Sequence, residues 1–254
     1  MSLQSLSIIV PAFNEEGNIR STCVEVAKLA EKHLNDYEIL VFDDASHDRT
    51  GEIVKALERE NPRIVLFQNS VNKGLGYNYR EGVLKARCHY TMLVPGDNEV
   101  TVESLEKIFK RIGAADILIC YILNPEVRPI WRQRVSKLFT NSLNVLFRLK
   151  ILYYNGPSVI RTDLAKQFVP PTSGFAYMAV MLVRLLKAGA SYQEEGFSLR
   201  GREYGKTKAF RLKNIISVIK NILILYWKIM VLRQFKQFPQ TTPKRDLEHT
   251  GIGS

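Results

Sequence analysis

Short apolar runs alternate with stretches in which apolar residues recur every three to four positions, and this rhythm holds through the first half of the chain. Residues 6–10 read as a strand and 19–33 as an amphipathic helix. The pair recurs at 37–42 with 50–60, at 64–67 with 77–86, and at 90–94 with 102–112, and residues 116–121 give a fifth strand. Strand and helix in strict alternation predict right-handed βαβ units: an α/β fold with a mostly parallel sheet and helices on both of its faces. Ligands in such sheets bind beyond the carboxyl ends of the strands, where the connecting loops gather.

Those loops hold polar residues that periodicity does not explain. They are Pro11-Ala12-Phe13-Asn14-Glu15-Glu16, Asp43-Asp44-Ala45-Ser46-His47-Asp48, Asn72-Lys73-Gly74-Leu75-Gly76 and Pro95-Gly96-Asp97-Asn98-Glu99. Each has a local reading, with Asp48 or Thr50 as helix caps and Gly74 and Gly76 as turn glycines. Four such loops at four successive strand ends point instead to one ligand-binding rim.

The second half changes character. Residues 128–150 carry six basic side chains and no acid, and 201–236 carry nine basic side chains against Glu203 alone. These segments account for +6 and +8 of the net +11 of the 254 residues, so the rest of the chain is slightly acidic at −3. Both are rich in Leu, Ile, Phe and Trp at helical spacing. That mixture suits an anionic lipid surface, and no helix-turn-helix, zinc or RNA-recognition signature accompanies it, so nucleic acid is not an expected partner. No apolar run reaches the roughly 20 residues a membrane span needs. The best, 215–232, is interrupted by Lys220, Asn221 and Lys228. A lysine at its centre costs about 2.5–3.5 kcal/mol to insert, so an interfacial helix is the expected arrangement. No secretory leader is read at the N-terminus, where the apolar run contains Pro11 and stops at Asn14. Cys23, Cys88 and Cys120 are scattered without metal-ligand spacing, as are the four histidines, which suggests a reducing compartment and no zinc site.

A dinucleotide-binding reading fails. The first loop has no glycine before Gly17, and Tyr79 stands where the third glycine after Gly74-Leu75-Gly76 should fall. The loops instead resemble the family 2 glycosyltransferases of the GT-A (Rossmann-like) fold. The likeness is carried by residues 7–16, by Asp43-Asp44-Ala45-Ser46-His47-Asp48 and by Asn72-Lys73-Gly74-Leu75-Gly76. Arg202-Glu203-Tyr204-Gly205-Lys206-Thr207-Lys208 is similar to a signature of the polyprenyl-phosphate, dolichol-phosphate mannose synthase-like branch.

The resemblance implies a nucleotide-diphosphate sugar as donor. Pro11, Ala12, Asn14, Glu15, Asp43, Asp44, Ser46, Lys73, Gly74 and Asp97 would hold it, with Asp43 accepting from a ring N–H of the base. It also implies Mg²⁺ or Mn²⁺, hard cations suited to carboxylates and phosphates. The family's D-x-D reads here as Pro95-Gly96-Asp97, so the first acid is missing and the expected protein ligands are Asp97 and Glu99. Asp97 and Arg202 are the expected catalytic residues.

A polyprenyl phosphate is the implied acceptor. Arg132 and Ser136, four apart and so on one helix face, match a pair that contacts acceptor phosphate, and Arg202 and Lys208 would complete its site. Val180 stands where many relatives carry a carboxylate base, which an already ionised phosphate acceptor does not need. The implied protein is therefore a peripheral enzyme on the cytoplasmic face of a membrane. A GT-A domain over 1–210 would contain the basic helix 128–150, followed by an interfacial helix at 211–236 and a flexible tail at 237–254. Two rivals stay open. One is a transferase to a sugar hydroxyl, with Glu194 or Glu195 as base; the other is a nucleotide-sugar-binding scaffold with little turnover. Base, sugar, chain length and oligomeric state are not readable from these residues.

Overall fold

A computed structural model describes residues 4–169, 174, 176–201 and 212–233. Seven strands form one sheet: β1 (Ser5–Ala12), β2 (Asp36–Asp43), β3 (Ile64–Gln68), β4 (Tyr90–Leu93), β5 (Ile117–Ile122), β6 (Val159–Arg161) and β7 (Tyr192–Phe197). Their order is β3-β2-β1-β4-β6-β5-β7, and β6 alone runs antiparallel to its neighbours. The helices are α1 (Ile19–His33), α2 (Thr50–Glu60), α3 (Leu75–Lys85), α4 (Val102–Lys110), α5 (Ile130–Phe147), α6 (Thr162–Gln167), α7 (Tyr177–Lys187) and α8 (Leu212–Tyr226). A π-helical turn, Trp227–Val231, extends α8. The alternating α/β expectation holds, with the first five strands and four helices within a few residues of their expected bounds. β6 and β7 were not foreseen.

Successive side chains of a strand point to opposite faces, and here both faces are apolar because both are covered. Ile8, Val10, Ile39, Val41, Leu118 and Cys120 face one core with α1, α2 and α4. Ile9, Leu40, Phe42, Ile117 and Ile119 face another with α3, α5, α6, α7 and α8. The result is a three-layer sandwich. Gly82 lets α3 lie on the sheet, since a Cβ there would meet Ile9 side-chain atoms at 2.6–2.8 Å.

The topology fixes the rim. β1 leads outward through β2 to β3 in one direction and to β4 in the other, so the loops after β1 and β4 flank the switch point where ligands settle in open α/β sheets. Because β6 is inverted, its leading residues 155–158 reach this same rim. They are pressed against β5: a Cβ on Gly156 would lie 1.9 Å from the Cys120 carbonyl oxygen, so only glycine fits.

No described helix is long and apolar enough to cross a membrane. α5 has two distinct sides. Thr140, Leu143 and Phe147 are buried, with Arg132 and Ser136 half-buried beside them, while Trp131, Val135, Leu138 and Val145 are exposed together with Arg134 and Lys137. α8 with its π-helical extension likewise buries Ile222, Leu225 and Ile229 and exposes Ile216, Ile219, Leu223 and Trp227 alongside Lys220 and Lys228. Phe147 and Tyr226 bring the two helices together, ring centres 6.1 Å apart. The three cysteines are buried thiols, and burial pushes that of Cys23 up to about 12. The expected tail at 237–254 lies outside the described residues.

Candidate active site

The first two rim loops are clasped to each other through backbone and side chain. Asn14 N donates to Ser46 Oγ at 3.0 Å, and His47 N donates back to Asn14 Oδ1 at 2.8 Å. Glu15 N donates to Thr50 Oγ1 at 2.8 Å and Glu16 N to Asp48 Oδ2 at 3.1 Å. The Phe13 and His47 rings meet edge to face at 6.2 Å. Below them, Asp44 N donates to Ala12 O at 2.9 Å and Gly96 N to Pro11 O at 3.1 Å, which ties the loops after β1, β2 and β4 into one floor. Asn14, Ala45 and Asn98 hold φ values of 58°, 62° and 53°, one left-handed non-glycine residue in each of those three loops. Such conformations cost on the order of 1–3 kcal/mol and gather where a site is pre-shaped.

The two aspartates at the end of β2 have different tasks. Asp43 is buried, accepting from Ser46 N at 3.0 Å through Oδ1 and from Gln68 Nε2 at 3.3 Å through Oδ2. A Cβ on Gly51 would lie 2.7 Å from Asp43 Oδ2, so the first turn of α2 is open at the one place this carboxylate occupies. Asp44 is spent inside the protein: its oxygens accept from Lys73 N at 2.8 Å, Asn69 Nδ2 at 2.8 Å and Gly74 N at 2.9 Å. It anchors the third loop, in which Gly74 takes φ 90° to start α3. Lys73 reaches the rim over Tyr77, 4.5 Å from its ring centre and 3.1 Å from its hydroxyl.

Asp97 and Glu99 share one turn after β4, and Glu99 N donates to Asp97 Oδ1 at 3.3 Å. Two carboxylates on one turn offer hard oxygen ligands, and no group of three or more His, Cys, Asp or Glu side chains stands ready to cage an ion among the described residues. That donor set fits a cation held by one or two carboxylates and completed by substrate phosphates, as is usual for Mg²⁺. Arg132 and Ser136 lie in the first two turns of α5, whose N-terminus emerges on the rim side after β5. Arg202 and Lys208 lie outside the described residues.

Val180 is buried in the core on α7, so its position offers no room for a charged base without a buried partner. Glu194 accepts from Leu152 N at 2.7 Å and Glu195 pairs with Arg111 at 2.8 Å, so both are used within the protein. The segment 155–158, with Asn155 exposed, also belongs to the rim; sequence reading passed over it because its place depends on the inverted β6.

Ionisation holds the clasp. Partial burial works against the charged form of Asp48, but hydrogen bonds from Thr50 and Glu16 outweigh it and keep the carboxyl below its ordinary value. A carboxyl lowered in the folded state contributes stability above its unfolded pKa, and that contribution is lost as pH falls through the folded value. Asp48→Asn is therefore expected to melt below wild type at pH 7, with the gap closing as pH drops below about 4. Thermal melts across pH 3–7 test this, and a gap that persists at pH 3 would remove the charge from the explanation.

Residues 7–168 match glycosyl transferase family 2. The chain belongs to this family. Among curated relatives, it is 27% identical over 207 residues to the low-salt glycan biosynthesis hexosyltransferase Agl6 of Haloferax volcanii, covering 78% of this chain and 48% of that one. It is 32% identical over 126 residues to a dolichyl-phosphate beta-glucosyltransferase of Dictyostelium discoideum, covering 45% and 38%. The chain thus spans about half or less of the length of these relatives. Among solved structures it superposes on glucosyl-3-phosphoglycerate synthase of Mycobacterium tuberculosis, solved with Mn²⁺, uridine diphosphate and glucosyl-3-phosphoglycerate. The TM-score is 0.62 at 13% identity, over 87% of this chain and 80% of that one. The family 2 protein described here therefore has the GT-A fold.

Proposed function

We propose that this family 2 protein transfers a hexose, with inversion, from a nucleoside diphosphate sugar to a polyprenyl phosphate at an anionic membrane surface. The observation that carries the reading is the two-sidedness of α5. Its inner side carries the half-buried Arg132 and Ser136, while its outer side presents Trp131, Leu138 and Val145 between Arg134 and Lys137. A lipid chain can stay in the membrane along the outer side while its phosphate meets the inner one, where the positive end of the helix dipole adds to Arg132. α8 carries a second exposed apolar and basic face beside it, and peripheral attachment through both suits described helices of which none is long and apolar enough to span. The name of the Dictyostelium relative, a dolichyl-phosphate glucosyltransferase, points to the same acceptor class.

Donor and acceptor would meet over the rim. Asp43 would accept from the base, the clasped first and second loops would hold the ribose, and Lys73 would face the phosphates. An acceptor phosphate oxygen forms the new bond to the anomeric carbon from the side opposite the leaving group. The bond from that carbon to the diphosphate breaks, and its electron pair stays on the departing oxygen. A phosphate monoester is largely ionised near pH 7, so no general base is required, which agrees with Val180 being buried and Glu194 and Glu195 being engaged. Asp97 and Glu99 would hold Mg²⁺ or Mn²⁺, whose charge offsets that developing on the diphosphate.

Membranes containing the protein, incubated with radiolabelled nucleotide sugars and undecaprenyl phosphate, are expected to yield label in the organic phase that EDTA abolishes. Label in polysaccharide instead would move the acceptor to a hydroxyl. Nucleotide binding without turnover would leave a scaffold.

A further inference from the structure

After β7 the chain turns back across the rim and lies against the turn that carries Asp97 and Glu99. Leu199 bridges Val100 in antiparallel sense, Arg200 N donates to Glu99 O at 2.7 Å, and Thr101 N donates to Ser198 O at 3.2 Å. Three elements hold this short strap in place. Ser104 Oγ, at the start of α4, accepts from Ser198 N at 2.8 Å. Glu25 on α1 pairs with Arg200 at 2.9 Å. Asn124, just past β5, takes Leu199 by both backbone atoms: Nδ2 donates to Leu199 O and Oδ1 accepts from Leu199 N, each at 2.9 Å.

A carboxamide offers a donor and an acceptor side by side in one plane, as a neighbouring strand would. Asn124 thereby supplies the missing strand partner for a buried residue whose neighbour, Arg200, grips the carbonyl of Glu99. Gly201 follows and leads in sequence into the basic run Arg202–Lys208. The strap thus lies in sequence between β7 and the basic run, and in space against the carboxylate turn.

We propose that Asn124 is a positioning residue for the cation corner: by fixing residues 198–200 against the Asp97–Glu99 turn, it sets the spacing of the two carboxylates. The inference rests on the reading that Asp97 and Glu99 take a divalent cation with the donor diphosphate. Removing a group that orients metal ligands weakens metal binding by about 10–100-fold. Removing a group that merely stabilises the fold lowers the melting temperature without singling out the metal.

The test is Mn²⁺ binding, followed by the loss of the free-ion EPR signal, in the presence of uridine or guanosine diphosphate. Binding of the same nucleotides in EDTA and the melting temperature are measured alongside. Asn124→Ala is expected to weaken Mn²⁺ by about tenfold or more while nucleotide binding in EDTA changes less than about twofold. Should that variant not fold, Asn124→Asp, which keeps the bond from Leu199 N–H and loses the one to Leu199 O, is read in the same way. Wild-type Mn²⁺ affinity in the variant overturns the proposal, as does an equal loss of metal and nucleotide binding. If the wild-type protein binds nucleotide but no Mn²⁺ with it, the cation reading itself fails and takes this proposal with it.

Discussion

Asp97→Ala is expected to cut sugar transfer by at least about 100-fold while leaving the fold in place. The magnitude follows from what the side chain would do: losing one preorganised group that stabilises charge developing in a transition state costs about 10²–10³ in turnover. The turn has little redundancy. The residue two before Asp97 is Pro95, so only Glu99 would remain in this turn to hold the cation. Asp97 is on a half-buried turn whose start is fixed by the backbone bond from Gly96 N to Pro11 O, so losing the bond from Glu99 N to Asp97 Oδ1 is expected to leave the fold in place. Asp97→Asn, which keeps the shape and removes the charge, is expected to fail equally, and raising Mn²⁺ should rescue neither variant fully. Turnover within a few-fold of wild type, at an unchanged metal requirement, would take the cation role away from this residue.

How far the sequence carried depended on how local each feature is. β1, β2 and β5 are apolar on both faces because helices cover both, so they stand out as short unbroken runs between polar loops. β6 is three residues long, too short to show any period, and β7 reads Tyr-Gln-Glu-Glu-Gly-Phe, polar because it is an edge strand. α7 buries nearly every residue from Tyr177 to Leu185, so it lacks the one-sided stripe that marks a surface helix. Within the site, residue type announced Asp43 and Asp44 together, but type cannot separate a carboxylate under the rim from one consumed in anchoring Lys73 and Gly74. Asn124 gave no signal, since its partner lies 75 residues away. The i, i+4 spacing of Arg132 and Ser136 did place them on one side of α5, while the surroundings of that side come from the packing of Leu143 and Phe147 beneath it.

That side of α5 supports the second large effect. Arg132→Ala should raise the KM for polyprenyl phosphate by about 10–100-fold, because a hydrogen bond to a charged partner contributes about 1.5–3 kcal/mol and a guanidinium can grip a phosphate through two of them. The KM for the nucleotide sugar should move less than about twofold, since the loops proposed to hold the donor lie after β1, β2 and β3 and are braced by their own hydrogen bonds. Arg132→Lys should recover only part of the loss, as an ammonium keeps the charge without the planar fork. Arg134→Ala is the internal control. Its side chain lies on the exposed side of the same helix, so it should weaken attachment to anionic vesicles, increasingly as salt is lowered, and leave the KM for a short, water-soluble prenyl phosphate unchanged. The reverse pattern, with Arg132→Ala raising the donor KM and sparing the acceptor, would move that guanidinium to the diphosphate side of the rim. The acceptor phosphate would then have to find its cations elsewhere than on α5.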